Sequence, residues 1–201
     1  AYKFAQQQAV SKIKSVVWQV GRSQLTPVAI LEPVELGGTT VSRASLHNLD
    51  IIREKQIKLF DPVLVEKAGY IIPHVVKPVV DLRTGCEQQI LPPEICPSCG
   101  GSVDVSGGAG ESTIVRCMSQ SCMGILLRRI SHFVAQLGIE YIGPKIIEKL
   151  IEEGLVNDVS DLFNLSVQDL TKIERMGTRV AEKIVAGISK ASTAPLPNLL
   201  A

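Results

Sequence analysis

Cys96-Pro97-Ser98-Cys99-Gly100 and Cys117-Met118-Ser119-Gln120-Ser121-Cys122 decide how this chain divides. Four of its five cysteines fall in these two short-spaced pairs, and seventeen residues separate the pairs. A two-residue gap lets both thiolates of the first pair face one tetrahedral Zn2+, and the following Gly relieves the tight turn. The second gap, of four residues, is looser but within reach. A closed four-sulfur site needs no His, Asp or water, and its role is structural. The alternative, a redox disulfide between Cys96 and Cys99, leaves Cys117 and Cys122 unexplained. Cys86 is left over as a plain thiol with no assigned role. Nothing resembles a signal peptide, which favours metal over disulfides.

On the N-terminal side of the cysteines the chain is β-rich. Residues 13–20, 26–36, 39–43, 62–67 and 71–82 are five apolar, β-branched stretches separated by Gly, Asp or Pro. Between the third and fourth, residues 46–56 place Leu46, Leu49, Ile52 and Gln56 at helical spacing. Five strands with a helix between the third and fourth is the order of an OB-fold barrel, with another small barrel as the alternative. Pro92-Pro93 ends this region. The Gly/Ser-rich stretch 100–112 reads as a loop carried by a small metal-held module, because it has too few apolar residues for a core of its own.

On the C-terminal side the period becomes helical. Ile125, Leu126, Ile130, Phe133, Val134 and Leu137 fit one apolar face, and Gly143-Pro144 opens a helix over 145–153. A second pair follows, with Ser166 and Asp169 capping a helix over 166–173, then Gly177 and a helix over 178–191. Ile142-Gly143-Pro144-Lys145 and Met176-Gly177-Thr178-Arg179 repeat one theme, a short hairpin feeding an amphipathic helix. In a helix-hairpin-helix unit the N–H groups at the start of the second helix point at one phosphate oxygen, whatever the base. Gly143 and Gly177 leave room for that approach, and Lys145 and Arg179 add charge. The plainer reading is a pair of ordinary helical hairpins with Gly in their turns.

The fold class is therefore multidomain: an all-β barrel, a small four-Cys module and an all-α hairpin region. At 45% hydrophobic residues the 201-residue chain fits packed globular structure, and no apolar run reaches the ~20 residues of a membrane span. We expect a cytoplasmic monomer. A first residue of Ala1 and an end inside the apolar run Leu199-Leu200-Ala201 read as cut ends, so a fragment is expected. The formal charge is +1, and four thiolates with one Zn2+ would bring it to −1. Any grip on nucleic acid must then come from locally placed cations and backbone N–H groups, not from a generally basic surface.

Four stretches carry a family resemblance. Trp18-Gln19-Val20-Gly21-Arg22, Thr26-Pro27-Val28-Ala29, Leu31-Glu32-Pro33-Val34 and Val41-Ser42-Arg43-Ala44-Ser45-Leu46-His47-Asn48 resemble the OB-fold signature of bacterial NAD-dependent DNA ligases. Tyr2-Lys3-Phe4 resembles the last nucleotide-binding motif of the adenylation domain upstream, and the cysteines and hairpins follow in the family's order. The implied boundaries are 1–11 for the adenylation-domain tail, 12–85 for the OB-fold, 86–125 for the zinc finger and 126–201 for a truncated helix-hairpin-helix domain.

The resemblance implies a reaction. Such ligases transfer AMP from NAD to a lysine, pass it to the 5′-phosphate of a nick in duplex DNA, and seal the nick with the neighbouring 3′-hydroxyl. The adenylated lysine lies in a Lys-x-Asp-Gly motif that is absent here, so no catalytic residue is assigned and the isolated chain is expected to be inactive. NAD and Mg2+ would be bound mostly outside it, with only Lys3 carried over, to neutralise the phosphate of AMP. Arg22 and Lys67 carry over as DNA-backbone contacts of the barrel. Ile71-Ile72 resembles an apolar pair pressed into the minor groove near the nick. Both isoleucines are alternatively core residues of an edge strand. Arg43, His47 and Asn48 are expected to be structural.

The sequence departs from the family's pattern at four places: Ala5 follows Lys-Phe, Phe60-Asp61-Pro62 replaces a Gly-Asp turn, Tyr70 replaces an Asp, and Tyr141 stands where the first hairpin commonly has Gly. Two other classes stay open. A non-catalytic repair factor built of the same modules would have no use for Lys3, and a zinc-organised scaffold would not bind nucleic acid at all.

Overall fold

The computed structural model describes residues 7–68, 72–107, 112–174 and 176–191, with backbone only at 68 and 72. Two compact units emerge, residues 1–119 and 120–201. Five strands of the first unit close a barrel: β1 (Gln8–Val20), β2 (Leu25–Leu36), β3 (Thr39–Ser45), then, after helix α1 (Leu49–Glu54) and the short β4 (Lys58–Leu59), β5 (Pro62–Ala68) and β6 (Ile72–Pro78). The barrel order is β1-β2-β3-β6-β5, with β1 antiparallel to β5 and a parallel β3–β6 contact at Ser45 and His74. The helix between the third and fourth barrel strands gives the expected OB order.

Alternation explains the barrel's inside. Ile13, Ala29, Leu31, Val41, Ala44, Val63, Val65 and Val75 point inward and are buried, while their strand neighbours face solvent or the rim. Three boundaries differ from the sequence expectation by three residues or more. Strand β1 begins at Gln8, where Gln8 to Lys12 pair with β5. Helix α1 begins only at Leu49, because the Asn48 side chain accepts the Ile51 N–H at 2.9 Å as its N-cap and His47 before it is left-handed at φ 62°. The last strand stops at Pro78 and gives way to a 3-10 turn at Val80–Leu82.

Residues 88–117 form two further pairings. Strand β7 (Gln88–Gln89) pairs with β4, and β8 (Val103–Ser106) pairs antiparallel with β9 (Ile114–Cys117). The Gly/Ser-rich stretch is thus partly a hairpin and not wholly a loop. Its apolar side finds a core elsewhere: Val115, Val103 and Cys117 pack with Leu25, Leu49, Trp18 and Val20 of the barrel. Asp50 of α1 accepts the Thr113 N–H at 2.6 Å beside that contact. The Thr113 hydroxyl first, and then this N–H, hold the Asp50 carboxyl below its ordinary value.

The second unit is helical: α2 (Met123–Gln136), α3 (Pro144–Glu152), a 3-10 turn at Val159–Asn164, α4 (Val167–Thr171) and α5 (Thr178–Ala191). Ile130, Ile147, Leu150, Val156, Leu162, Leu170 and Ile184 lie at its centre, all but fully buried. Gly138 and Gly154 end α2 and α3 with left-handed φ of 62° and 68°. In each case the next residue donates back into the helix, Ile139 to the Val134 carbonyl and Leu155 to the Leu150 carbonyl. Ser166 and Asp169 form the expected reciprocal cap on α4, and Asp158 with Asp161 forms another on the 3-10 turn, which sequence periodicity did not disclose.

Candidate metal centre and nucleic-acid interface

The four cysteines of the two pairs converge. Cys96 and Cys99 sit on a turn closed by Cys96 N–H to the Gly101 carbonyl (2.7 Å) and Gly100 N–H to the Cys96 carbonyl (2.9 Å). Cys117 ends β9, and Cys122 is the N-cap residue of α2. Their sulfurs all lie within 4.8 Å of one another, and Cys99 Sγ and Cys117 Sγ are 3.5 Å apart. Sulfurs at the corners of a tetrahedron with bonds of ~2.3 Å stand about 3.8 Å apart, so four thiolates here fit a metal such as Zn2+. Gly101 allows the closeness: a Cβ there would lie 3.0 Å from Ser119 Cβ and 3.4 Å from Cys99 Sγ. Cys86 is exposed and stands apart from this cluster.

The two hairpins share a geometry. The Gly143 carbonyl accepts from Ile146 and Ile147 N–H at 2.9 and 3.1 Å, and the Gly177 carbonyl accepts from Val180 and Ala181 N–H at 3.0 and 3.1 Å. Each glycine therefore stands at the start of a helix whose first N–H groups have no partner within the helix. Neither has a positive φ, and a Cβ built on either would meet nothing within 4 Å. The fold itself makes no demand for glycine at these two positions. Lys145 and Arg179 are exposed in the first turns. Tyr141, by contrast, is left-handed at φ 65° and 52% exposed, with Lys183 Nζ 4.7 Å from its ring centroid.

On the barrel, Arg22 is exposed in the β1–β2 turn, which Gly21 N–H closes onto the Gln24 carbonyl at 2.8 Å. Lys67 lines an open groove with Thr39, Ser42, Arg43 and Pro73, and its ammonium donates to the Thr39 hydroxyl. Ile72 is in β6, opposite Ala68. Lys3, Ile71 and Tyr70 lie outside the described residues. His47 meets His74 edge-to-face at 5.4 Å beside the β3–β6 seam. Partial burial lowers its pKa first, with the nearby positive charges of His74 and Lys55 adding to the effect.

Comparison with known proteins agrees with this arrangement. Residues 10–87 match the NAD-dependent DNA ligase OB-fold domain, and residues 133–190 match the SAM-like helix-hairpin-helix tandem. The whole chain is 46% identical to the DNA ligase of Thermotoga neapolitana and 45% identical to that of Desulforamulus reducens. The chain matches a segment of the bacterial NAD-dependent DNA ligases. All of this chain is covered in both alignments but only 29% and 30% of those ligases, so it spans about three-tenths of the length of the curated relatives it matches. Among the described residues, no helix is long and apolar enough to cross a membrane.

Sequence reasoning passed over Lys183. The signal was there: Arg179 and Lys183 are four apart on a helix, hence neighbours on one face. It also passed over the Asp61–Arg83 pair, because 22 residues of sequence separate the partners and Asp61 reads as a turn residue.

Proposed function

We propose that this chain is the DNA-gripping portion of an NAD-dependent ligase that seals nicks in duplex DNA. The observation that carries the reading is the pair of equivalent helix starts at Gly143 and Gly177, where glycine has no conformational or packing reason to stand. Oriented N–H groups there, with Lys145 and Arg179 alongside, would hold phosphates without regard to base. Arg22 and Lys67 would hold the backbone from the barrel, and Ile71-Ile72 would lie in the minor groove. Lys3 would neutralise the phosphate of AMP when the adenylation domain is present. The division into residues 1–11, 12–85, 86–125 and 126–201 belongs to the same reading, as do a monomeric state and a cytoplasmic location.

Cys96, Cys99, Cys117 and Cys122 would hold one Zn2+, which when bound supplies a cross-link among the turn, the strand end and the helix start that carry them. The chain's own part is to present four thiolates on a pre-formed turn, a strand end and a helix start. Elemental analysis giving well under one zinc per chain, with five titratable thiols, would remove this element. NAD and Mg2+ belong to the whole enzyme, and the 201 residues by themselves should neither form an adenylate nor seal a nick.

The deciding experiment is a salt series of anisotropy titrations on nicked and intact duplexes. Phosphate contacts release counterions, so affinity must fall as salt rises, with little dependence on base sequence. Gly177→Val should weaken binding more than Arg179→Ala, since a side chain blocks the backbone approach and the cation only supplements it. The open space around Gly177 lets the variant fold. Binding indifferent to salt, or a folded Gly177→Val chain that binds like the parent, would refute the reading.

A further inference from the structure

We propose that Lys183, held in place by the Tyr141 ring, is a DNA-phosphate contact that extends the grip of the first hairpin toward the second. The inference rests on the phosphate-binding role of the hairpins given above.

Three local costs in the helical unit point to an anion at this spot. Tyr141 holds a left-handed backbone at φ 65°, a conformation disfavoured for any residue with a Cβ. Its ring is 52% exposed, so core packing does not explain the residue. Arg179 and Lys183 lie one turn apart on α5, a like-charge i,i+4 pair that destabilises a helix. Neither takes part in an ion pair among the described residues. Local strain and like-charge pairing kept together at an exposed surface mark a position shaped by a ligand.

The geometry says which ligand. The ring of Tyr141 faces the Lys183 ammonium at 4.7 Å, which orders an otherwise flexible side chain beside the Gly143 hairpin. One turn further along α5, Gly187 faces the same loop: a Cβ there would lie 3.5 Å from Ile139 Cγ2. Helix α5 thus lies against the first hairpin's loop, carrying Lys183 at Tyr141 and Arg179 at the Gly177 end. Two cations on one face, each next to a hairpin, suit successive phosphates of one DNA strand. A compact ammonium binds phosphate as a point charge, so the contact adds affinity and salt dependence but no base preference. A tyrosine at this left-handed turn exchanges the easier conformation that glycine would have for a placed cation.

The test uses the 201-residue chain, nicked duplex DNA and the same salt-series titrations, with folding checked by circular dichroism. Each phosphate neutralised contributes roughly 0.9 to the slope of log affinity against log salt. Lys183→Ala should lower the slope by about that amount and weaken binding several-fold at low salt. Lys183→Arg should restore both. Tyr141→Phe should bind like the parent, while Tyr141→Gly should lose part of what Lys183→Ala loses and add nothing on top of it. Parental slope and affinity in Lys183→Ala, alongside weakened binding in Gly177→Val, would overturn this inference and leave the hairpin reading standing. A Lys183→Ala loss with no change in Tyr141→Gly would overturn the positioning role of the ring. Parental binding by folded Gly177→Val would bring down the hairpin reading itself.

Discussion

The two units are held together by different physics. The buried polar or charged residues among those described, Ser11, Asp61 and Glu66, all belong to the first unit. Its barrel closes by pairing strands distant in sequence, as β1 does with β5 and β3 with β6. The helical unit buries an apolar cluster and satisfies its polar groups at the surface, through caps and Schellman ends. The barrel has a turn at Asp61 where backbone and carboxylate groups must be paired inside. The helices meet that need at their ends, where caps and Schellman turns take up the unpaired backbone groups at the surface. The first unit should therefore be the one sensitive to single charges and mild acid.

The sharpest test of that contrast is Asp61. Its carboxylate is fully buried, bonded to Arg83 Nε at 2.7 Å and Nη2 at 2.9 Å, and it accepts the Lys58 N–H at 2.6 Å. The Asp61 carbonyl also accepts Ile13 N–H at 2.9 Å, tying the turn to β1. Removing one partner strands the other, so Asp61→Ala should destabilise the first unit by about 3–5 kcal/mol in denaturant melts. The Asp61→Ala/Arg83→Met double variant should recover part of that loss. Additive losses in the double variant would show that the pair does not act as a unit.

The counterpart in the helical unit is a cavity. Leu150 is fully buried, and Leu150→Ala should cost about 3 kcal/mol, with residue-resolved hydrogen exchange showing the loss confined to residues 120–191. This core was legible in the sequence, because Ile146, Ile147, Leu150 and Ile151 repeat at helical spacing. The barrel strands were legible too, from β-branched runs punctuated by Gly and Pro, and the metal cluster from cysteine spacing alone. Two elements were not. The β8–β9 hairpin is too poor in apolar residues to announce itself, since its Val103 and Val115 are buried only by partners in the barrel. The turn at Val159–Asn164 is capped by two aspartates in place of the Ser/Thr and Glu pattern and is too short to show a period. Side-chain partners far apart in sequence, Asp61 with Arg83 and Tyr141 with Lys183, leave no periodic trace.

Smaller effects separate the units by pH. His47 has a lowered folded pKa, so between the unfolded value of 6.5 and its folded value the unfolded chain binds more protons. Its contribution to the first unit is present above pH 6.5 and is lost as pH falls from there through the lower folded value. Thermal melts at pH 7.5 and 5.5 should show the loss, and His47→Gln should reduce it. Asp169 is held at about 2, below its usual 3.8, chiefly by the Ser166 hydroxyl and then by Lys172. Its contribution to the helical unit is present above 3.8 and is lost only as pH falls toward 2. Removing the cap with Ser166→Ala should cost about 1 kcal/mol at neutral pH and raise the Asp169 pKa. Loss of both units in a single window near pH 6 would contradict the division.

The smallest expected effects compare one strained residue in each unit. Phe60 is left-handed at φ 69° and Tyr141 at φ 65°. A left-handed residue with a Cβ carries a penalty of about 1–2 kcal/mol, part of which glycine gives back through the greater freedom of its unfolded chain. Phe60→Gly should therefore stabilise the first unit slightly, by about 0.5 kcal/mol, less whatever contact its half-buried ring makes. Tyr141→Gly removes the same strain but also the contact with Lys183, about 0.5 kcal/mol for an exposed cation–π pair. The two terms cancel, so Tyr141→Gly should leave the stability of the helical unit nearly unchanged. Lys183→Ala in the parent should lower it slightly, and in the Tyr141→Gly background should not. That double-mutant cycle, read by chemical denaturation, isolates the ring–ammonium term. A stabilisation by Tyr141→Gly as large as that by Phe60→Gly would mean the ring gives Lys183 nothing in the unbound protein.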